Sequence, residues 1–194
     1  NNLNSNIMKL SETNLTLPEI TAAMQKWKDA CTSTGLNSML NWLSQGNVFS
    51  YVRDNNNTPV QPDPKAYVHV YPGIITESGN DTLVLLVISG YLDAQGNSNI
   101  ASDTKCYGVA AGQPSQSSTG GMPLETALER IQAWNTNMTN WVTQNIDATD
   151  SIFQCFIIPQ EDSAAGTTHN AFIALNEDSA APGGYIPDLI IENV

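Results

Sequence analysis

Met39-Leu-Asn-Trp-Leu-Ser-Gln45 (MLNWLSQ) is answered further along the chain by Met138-Thr-Asn-Trp-Val-Thr-Gln144 (MTNWVTQ), with four of seven positions identical and the rest conservative. The echo extends outward in both directions. Upstream, Gln25-Lys-Trp27 matches Gln132-Ala-Trp134. Downstream, Val48-Phe49 matches Ile152-Phe153, Ala66-Tyr-Val68 matches Ala171-Phe-Ile173, and Leu83-Val-Leu85 matches Leu189-Ile-Ile191. The separations run 107, 99, 104, 105 and 106 residues, so order is kept while loop lengths change modestly. Self-similarity of this kind is the signature of a repeated unit.

Each unit reads as helix and then strands. Thr16, three residues before Glu19, forms a capping box, and Pro18 is tolerated in a first helical turn. Ile20, Met24, Trp27 and Cys31 then recur at helical spacing. Gly35 breaks this helix, and a second piece carries Met39, Leu40 and Leu43 up to Gly46-Asn47. Residues 48–53, 66–71 and 83–89 are rich in β-branched and aromatic side chains and read as strands. The run from Leu83 is apolar at nearly every position, as in a strand covered on both faces. In the second unit, Leu124, Leu128, Ile131, Trp134, Met138 and Trp141 make one long helical stripe. Strands follow at 151–158, 170–175 and 187–193.

The expected organisation is a frayed segment 1–15, a first α-β-β-β repeat at 16–92, a Gly/Ser-rich connector at 93–121 with one short strand at 105–111, and a second repeat at 122–194. Either repeat alone is too small to bury helix and sheet faces well. The reading is therefore a single compact α+β domain: two tandem α-β-β-β repeats with pseudo-twofold symmetry, helices packed on one side of mainly antiparallel sheet.

Composition bounds the function. Seven Lys and Arg against nineteen Asp and Glu give a net charge of −12, so the chain lacks the cations that replace counterions on phosphate backbones; nucleic acid is excluded as a partner. Charged residues make up only 13%, about half the usual share, and 21 Asn with many Gln, Ser and Thr take their place. An amide- and hydroxyl-rich surface points to an acidic, extracytoplasmic bacterial protein, periplasmic or secreted; an AT-rich genome would produce the same Asn excess in a cytoplasmic one. The longest apolar run, Leu83 to Ile88, is too short for membrane insertion. The chain opens with Asn rather than Met, so the lack of a visible leader carries no information. Cys31, Cys106 and Cys155 stand in no metal-binding spacing and read as reduced thiols.

The leading candidate surface is in the first repeat. Alternation puts Tyr67, His69 and Tyr71 on one strand face, and Tyr51 and Arg53 together on the preceding strand. If those faces coincide, they form a Tyr/Arg/His surface able to stack on a planar or sugar-like ligand. The plain alternative is an amphipathic sheet face. His169 reads as a solvated loop residue; pairing it with Cys106 beside Lys105 as base and nucleophile is the weaker option. Cys31 and Cys155 read as small apolar packing. Asp93, Gln95, Asn97 and Asn99 alternate like the oxygen ligands of a calcium loop, but the glycine is misplaced and Thr104 stands where a bidentate carboxylate is required. The acidic loops at 159–162 and 176–179 read as solvated turns.

With no GxGxxG, Walker, HExxH or GxSxG pattern, no cofactor or metal is expected. The functional expectation is a non-enzymatic binding or protein-interaction module for a small molecule, glycan or protein. The alternative is an enzyme of unassigned chemistry, a hydrolase before others, with a site in the first repeat or at the repeat seam.

Overall fold

A computed structural model describes residues 14–52, 67–90, 93, 104–115, 121–147, 152–159, 162 and 167–194, with the Tyr67 side chain excepted. The segment expected to fray, 1–15, lies outside these residues except for its last two. The elements run α1 (Leu17–Asp29), a 3-10 turn (Ser33–Gly35), α2 (Leu36–Leu43), β1 (Val48–Val52), β2 (Tyr67–Glu77), β3 (Asn80–Ser89), β4 (Lys105–Gly108), α3 (Leu124–Asn145), β5 (Phe156–Pro159), β6 (Thr168–Glu177) and β7 (Tyr185–Asn193). The fold is α+β, with three α-helices and two antiparallel sheets among the described residues. Among the described residues no helix is long and apolar enough to cross a membrane.

Local signals set the helix and hairpin boundaries. At the start of α1 the Thr16 hydroxyl accepts the Glu19 amide, and the Glu19 carboxylate accepts the Thr16 amide at 2.7 Å, which makes the expected capping box. Its last turn carries Lys26 and Lys28, which suit the negative end of the helix dipole. Ser78 and Gly79 both have positive φ and close the β2–β3 hairpin in a two-residue turn. The hairpin carries the first strand beyond Tyr71, where the sequence reading ended it, and starts the next at Asn80, before Leu83. Pro72 is tolerated because β5 pairs with β2 only from Tyr67 to Val70. Past that point this side of β2 has no strand partner among the described residues, and an absent N–H leaves no ladder bond unmade there. Gly73 lets α1 approach closely: a Cβ there would sit 3.1 Å from the Ala23 Cβ.

One sheet has the order β4-β3-β2-β5 and the other β1-β6-β7. The strands from the two halves of the chain are therefore interleaved. β5 pairs antiparallel with β2, Val70 opposite Phe156, and β1 pairs antiparallel with β6, Phe49 opposite Ala171. At the far edge of the first sheet the chain crosses over to the second, where the Ala110 amide donates to the Val48 carbonyl at 2.8 Å.

Period-two alternation divides the apolar residues cleanly. Val68, Val70, Ile74, Leu83, Leu85 and Val87 of one sheet share a single buried cluster with Phe49, Tyr51, Ala171, Ile173, Leu175 and Ile191 of the other. The opposite faces go to the helices. Ile20 and Ala23 of α1 cover Val84, Leu86 and Cys106, while Ala127 and Ile131 of α3 cover Val48, Phe172, Ala174 and Ile190. Each sheet thus carries a helix on one face and packs against the other sheet with its opposite face. The reason is that β3 and β6 are apolar on both faces, and a strand buried twice needs a layer above and below.

Trp42 and Trp141, the residues of the echoed motif, are both buried. The Trp42 indole reaches the Asp81 carboxylate near the start of β3, and the Trp141 indole donates to the Tyr185 carbonyl at the start of β7, 3.2 Å away. Gln45, closing the first motif, bonds the Asp81 carbonyl and the Leu83 amide, both at 2.8 Å.

Candidate functional site

Beside the part of β2 that β5 does not pair lies a cleft of about 660 Å³. Lys28 and Cys31 line it from the α1 side, Tyr71 and Pro72 from β2, and Asp147 and Gln154 from the chain between α3 and β5. First-half and second-half residues face each other across it. Cys31 packs against the core, and its Sγ also accepts the Gln154 amide at 3.2 Å. Burial pushes the Cys31 thiol up, against the opposing pull of that bond. Asp147 is tied to the α1–α2 connection, accepting the Ser33 amide at 2.8 Å.

Tyr71 connects the cleft to a polar group behind it. One carboxylate oxygen of Asp93, Oδ2, accepts both the Tyr71 hydroxyl at 2.5 Å and the His69 Nδ1 at 2.6 Å. A carboxylate can only accept, so His69 carries its proton on Nδ1. The histidine and aspartate side chains keep 22% and 24% of their surface, which leaves the pair reachable by water. Burial first, and the bond to Asp93 second, raise the Tyr71 phenol far above its ordinary range, so it is a hydrogen-bond donor at any physiological pH. Cys155 belongs to the same group. Its thiol interacts with the Tyr71 hydroxyl and the Val70 amide, and burial raises it despite both.

The sequence-derived candidates are only partly brought together. His69 and Tyr71 share the α1-side face of the first sheet, as alternation required. Tyr51 does not join them: β1 pairs with β6 instead of β2, and Tyr51 is 1% exposed in the core, 5.2 Å from the ring of His169. Arg53 and the Tyr67 side chain lie outside the described residues. His169 is no loop residue. β6 begins at Thr168, so alternation turns His169 inward to complete burial, its Nε2 3.0 Å from the Thr167 hydroxyl. Cys106 sits beneath α1 on the other sheet's outer face, where burial raises its thiol to about 11, so the two do not form a nucleophile and base.

Asp93 acts as an acceptor for His69 and Tyr71, and Gln95, Asn97 and Asn99 of the calcium-like spacing lie outside the described residues. Among the described residues no cluster of three metal-ligating side chains exists. In the acidic turn at 176–179, Asp178 accepts the Ala180 amide at 2.9 Å.

Sequence reasoning missed Asp93 as the partner of His69, although a signal was there. In an antiparallel hairpin the end of one strand lies beside the start of the other, and Ser89 is opposite Val68. An acid four residues beyond Ser89 therefore falls near His69. Gln154 and Asp147 gave no such signal, because their position depends on where β5 leaves the sheet. No protein-family model, no curated protein and no solved structure matches the chain.

Proposed function

We propose that the chain is an internal duplication acting as a non-enzymatic binding module, with its ligand in the cleft at the seam of the two halves. The duplication rests on three relations. The orders β5-β2-β3 and β1-β6-β7 are the same arrangement with the first strand of each half given to the other. In both sheets the strand from the other half runs antiparallel to the middle strand, which in turn runs antiparallel to the third. Trp42 and Trp141 each direct their indole to the start of their half's last strand. The repeats at 16–92 and 122–194, joined by 93–121, are the units of this duplication.

The single observation carrying the binding function is the chemistry of the cleft wall. Lys28, Gln154, Asp147 and Tyr71 present hydrogen-bonding and charged groups of both signs, while the wall's thiol, Cys31, is held protonated by burial. Such a wall holds a small polar molecule by directional bonds and has no activated nucleophile with which to attack it. The test is a ligand-observed NMR screen of mono- and disaccharides, amino acids and dipeptides against the wild type and Thr21→Trp, whose indole would fill the cleft from the α1 wall. Binding by the wild type alone supports the assignment; equal binding by both proteins, or by neither, removes the cleft as the site.

One observation favours a second reading, a hydrolase. An imidazole fixed at Nδ1 by a carboxylate is the arrangement of a general base acting through Nε2. Turnover of p-nitrophenyl acetate by the wild type and its loss in His69→Gln would favour it; equal rates would dismiss it.

A further inference from the structure

We infer that the cleft is proton-linked: the charge state of His69 sets, through Asp93, whether the Tyr71 hydroxyl is free to turn toward a ligand. The inference rests on the cleft being the binding surface and concerns how that surface is controlled. Among the described residues, Tyr71 is the one that both lines the cleft and bonds Asp93. Its hydroxyl and the His69 Nδ1 compete for a single oxygen, Asp93 Oδ2.

With His69 neutral, the carboxylate charge is shared between two neutral donors. A second proton can enter His69 only at Nε2, since Nδ1 already carries one. The imidazolium then makes a charge-assisted bond to Asp93, which is roughly twice as strong as a neutral one. A carboxylate paired with a cation is a poorer acceptor for a third group. The Tyr71 hydroxyl is thereby loosened and becomes available to an acceptor in the cleft. Protonation and a ligand that accepts from Tyr71 thus favour each other, as linkage requires.

Among the described residues, the other titratable or charged side chains facing this group are Cys155, from the chain before β5, and Lys28, Cys31 and Asp147 around the cleft. Ile88 of β3 and Ile157 of β5, the registered neighbours of His69, carry no charge. By residue type, only the imidazole ordinarily changes charge between about pH 5 and 8.

The experiment is a pH titration of the isotope-labelled, ligand-free full chain by NMR between about pH 5 and 8. It follows the His69 ring, the Tyr71 ring and the Gln154 amide, with His69 assigned by its absence in His69→Gln. In the wild type, Tyr71 and Gln154 should move with the same midpoint as His69. In His69→Gln that step should vanish. In Asp93→Asn, His69 should still titrate while Tyr71 loses the step. A flat Tyr71 signal through the His69 titration, or a step that persists in His69→Gln, overturns the linkage. Because no ligand is present, either result is independent of the compound screen, which tests the cleft assignment by itself.

Discussion

The Trp27 indole stacks on the Phe153 ring with centroids 5.4 Å apart and donates its Nε1 proton to the Phe153 carbonyl at 3.0 Å. Phe153 in turn lies 6.2 Å from both Trp134 and Trp141 and 4.5 Å from Phe156. One phenyl ring therefore joins α1 of the first half to α3 and β5 of the second. Phe153→Ala should lower the unfolding free energy by about 3–5 kcal/mol, the usual consequence of emptying a large aromatic site. Trp27→Phe keeps most of the packing but leaves the Phe153 carbonyl without its donor, a loss of about 1–3 kcal/mol. Urea unfolding of both variants checks this. A Phe153→Ala midpoint close to the wild-type value would mean that the cluster does not hold the halves together.

Trp42 and Trp141 are 5% and 2% exposed, and each sits against the last hairpin of its own half. Trp42→Ala and Trp141→Ala should each reduce stability by about 3–5 kcal/mol. Because the two halves share one apolar interior, both variants should unfold in a single transition with an unchanged denaturant slope. A biphasic curve in either one would show that the halves unfold separately.

Much of this fold was legible in the chain because the signals were local. The capping box at Thr16, the helical stripe through Trp134 and the apolar run from Leu83 each depend on residues within a turn or a strand of one another. The pairing of β1 with β6 and of β5 with β2 was not legible. Val48 to Val52 carries the same alternation whether it pairs with β2 or β6, and the choice depends on packing between distant segments. That choice removed Tyr51 from the His69 face. The start of β5 was misjudged for a related reason: Ile152 and Phe153 look like strand residues but face an aromatic cluster before the sheet begins. His69 and Tyr71 were placed on a common face by period two alone, yet their partner Asp93 follows only once the β2–β3 hairpin is known.

The three thiols should differ in reactivity in a way the sequence did not indicate. Cys106 is 3% exposed and raised to about 11 by burial, with Glu77 adding to the effect, so at pH 8 it is both inaccessible and protonated. Cys31 and Cys155 are half-buried and also raised. In the native protein, a disulfide reagent at pH 8 should modify Cys31 and Cys155 more slowly than a free thiol and Cys106 not at all. All three should react at once in denaturant. Peptide mapping after timed quenching reads the order, and early labelling of Cys106 would show that α1 does not seal that face.

Asp81 and Asp188 should respond to pH in opposite directions. Asp81 accepts the Lys26 ammonium at 2.7 Å and the Thr76 hydroxyl at 2.7 Å, and these bonds hold its carboxyl below the usual range. Its folded form therefore binds a proton less readily than its unfolded form, and its contribution, present above the ordinary carboxylate pKa, is lost as pH falls through the lowered one. The pair is near the surface, so Asp81→Asn should reduce stability at pH 7 by no more than about 1 kcal/mol. Burial dominates at Asp188 and raises its carboxyl, opposed by the Leu189 amide and by Arg130 at 3.8 Å. The folded form then binds a proton more readily, and stability declines as pH rises through that titration. An asparagine oxygen can still accept the Leu189 amide, so Asp188→Asn should be neutral to slightly stabilising at pH 7; the side chain keeps 46% of its surface, which holds the gain small. Urea midpoints measured between about pH 7 and pH 3 should show both variants converging on the wild type as acid protonates the wild-type carboxylates, Asp81→Asn from below and Asp188→Asn from level or above. A loss of stability in Asp188→Asn matching that of Asp81→Asn at pH 7 would mean that Arg130, and not burial, governs the Asp188 site.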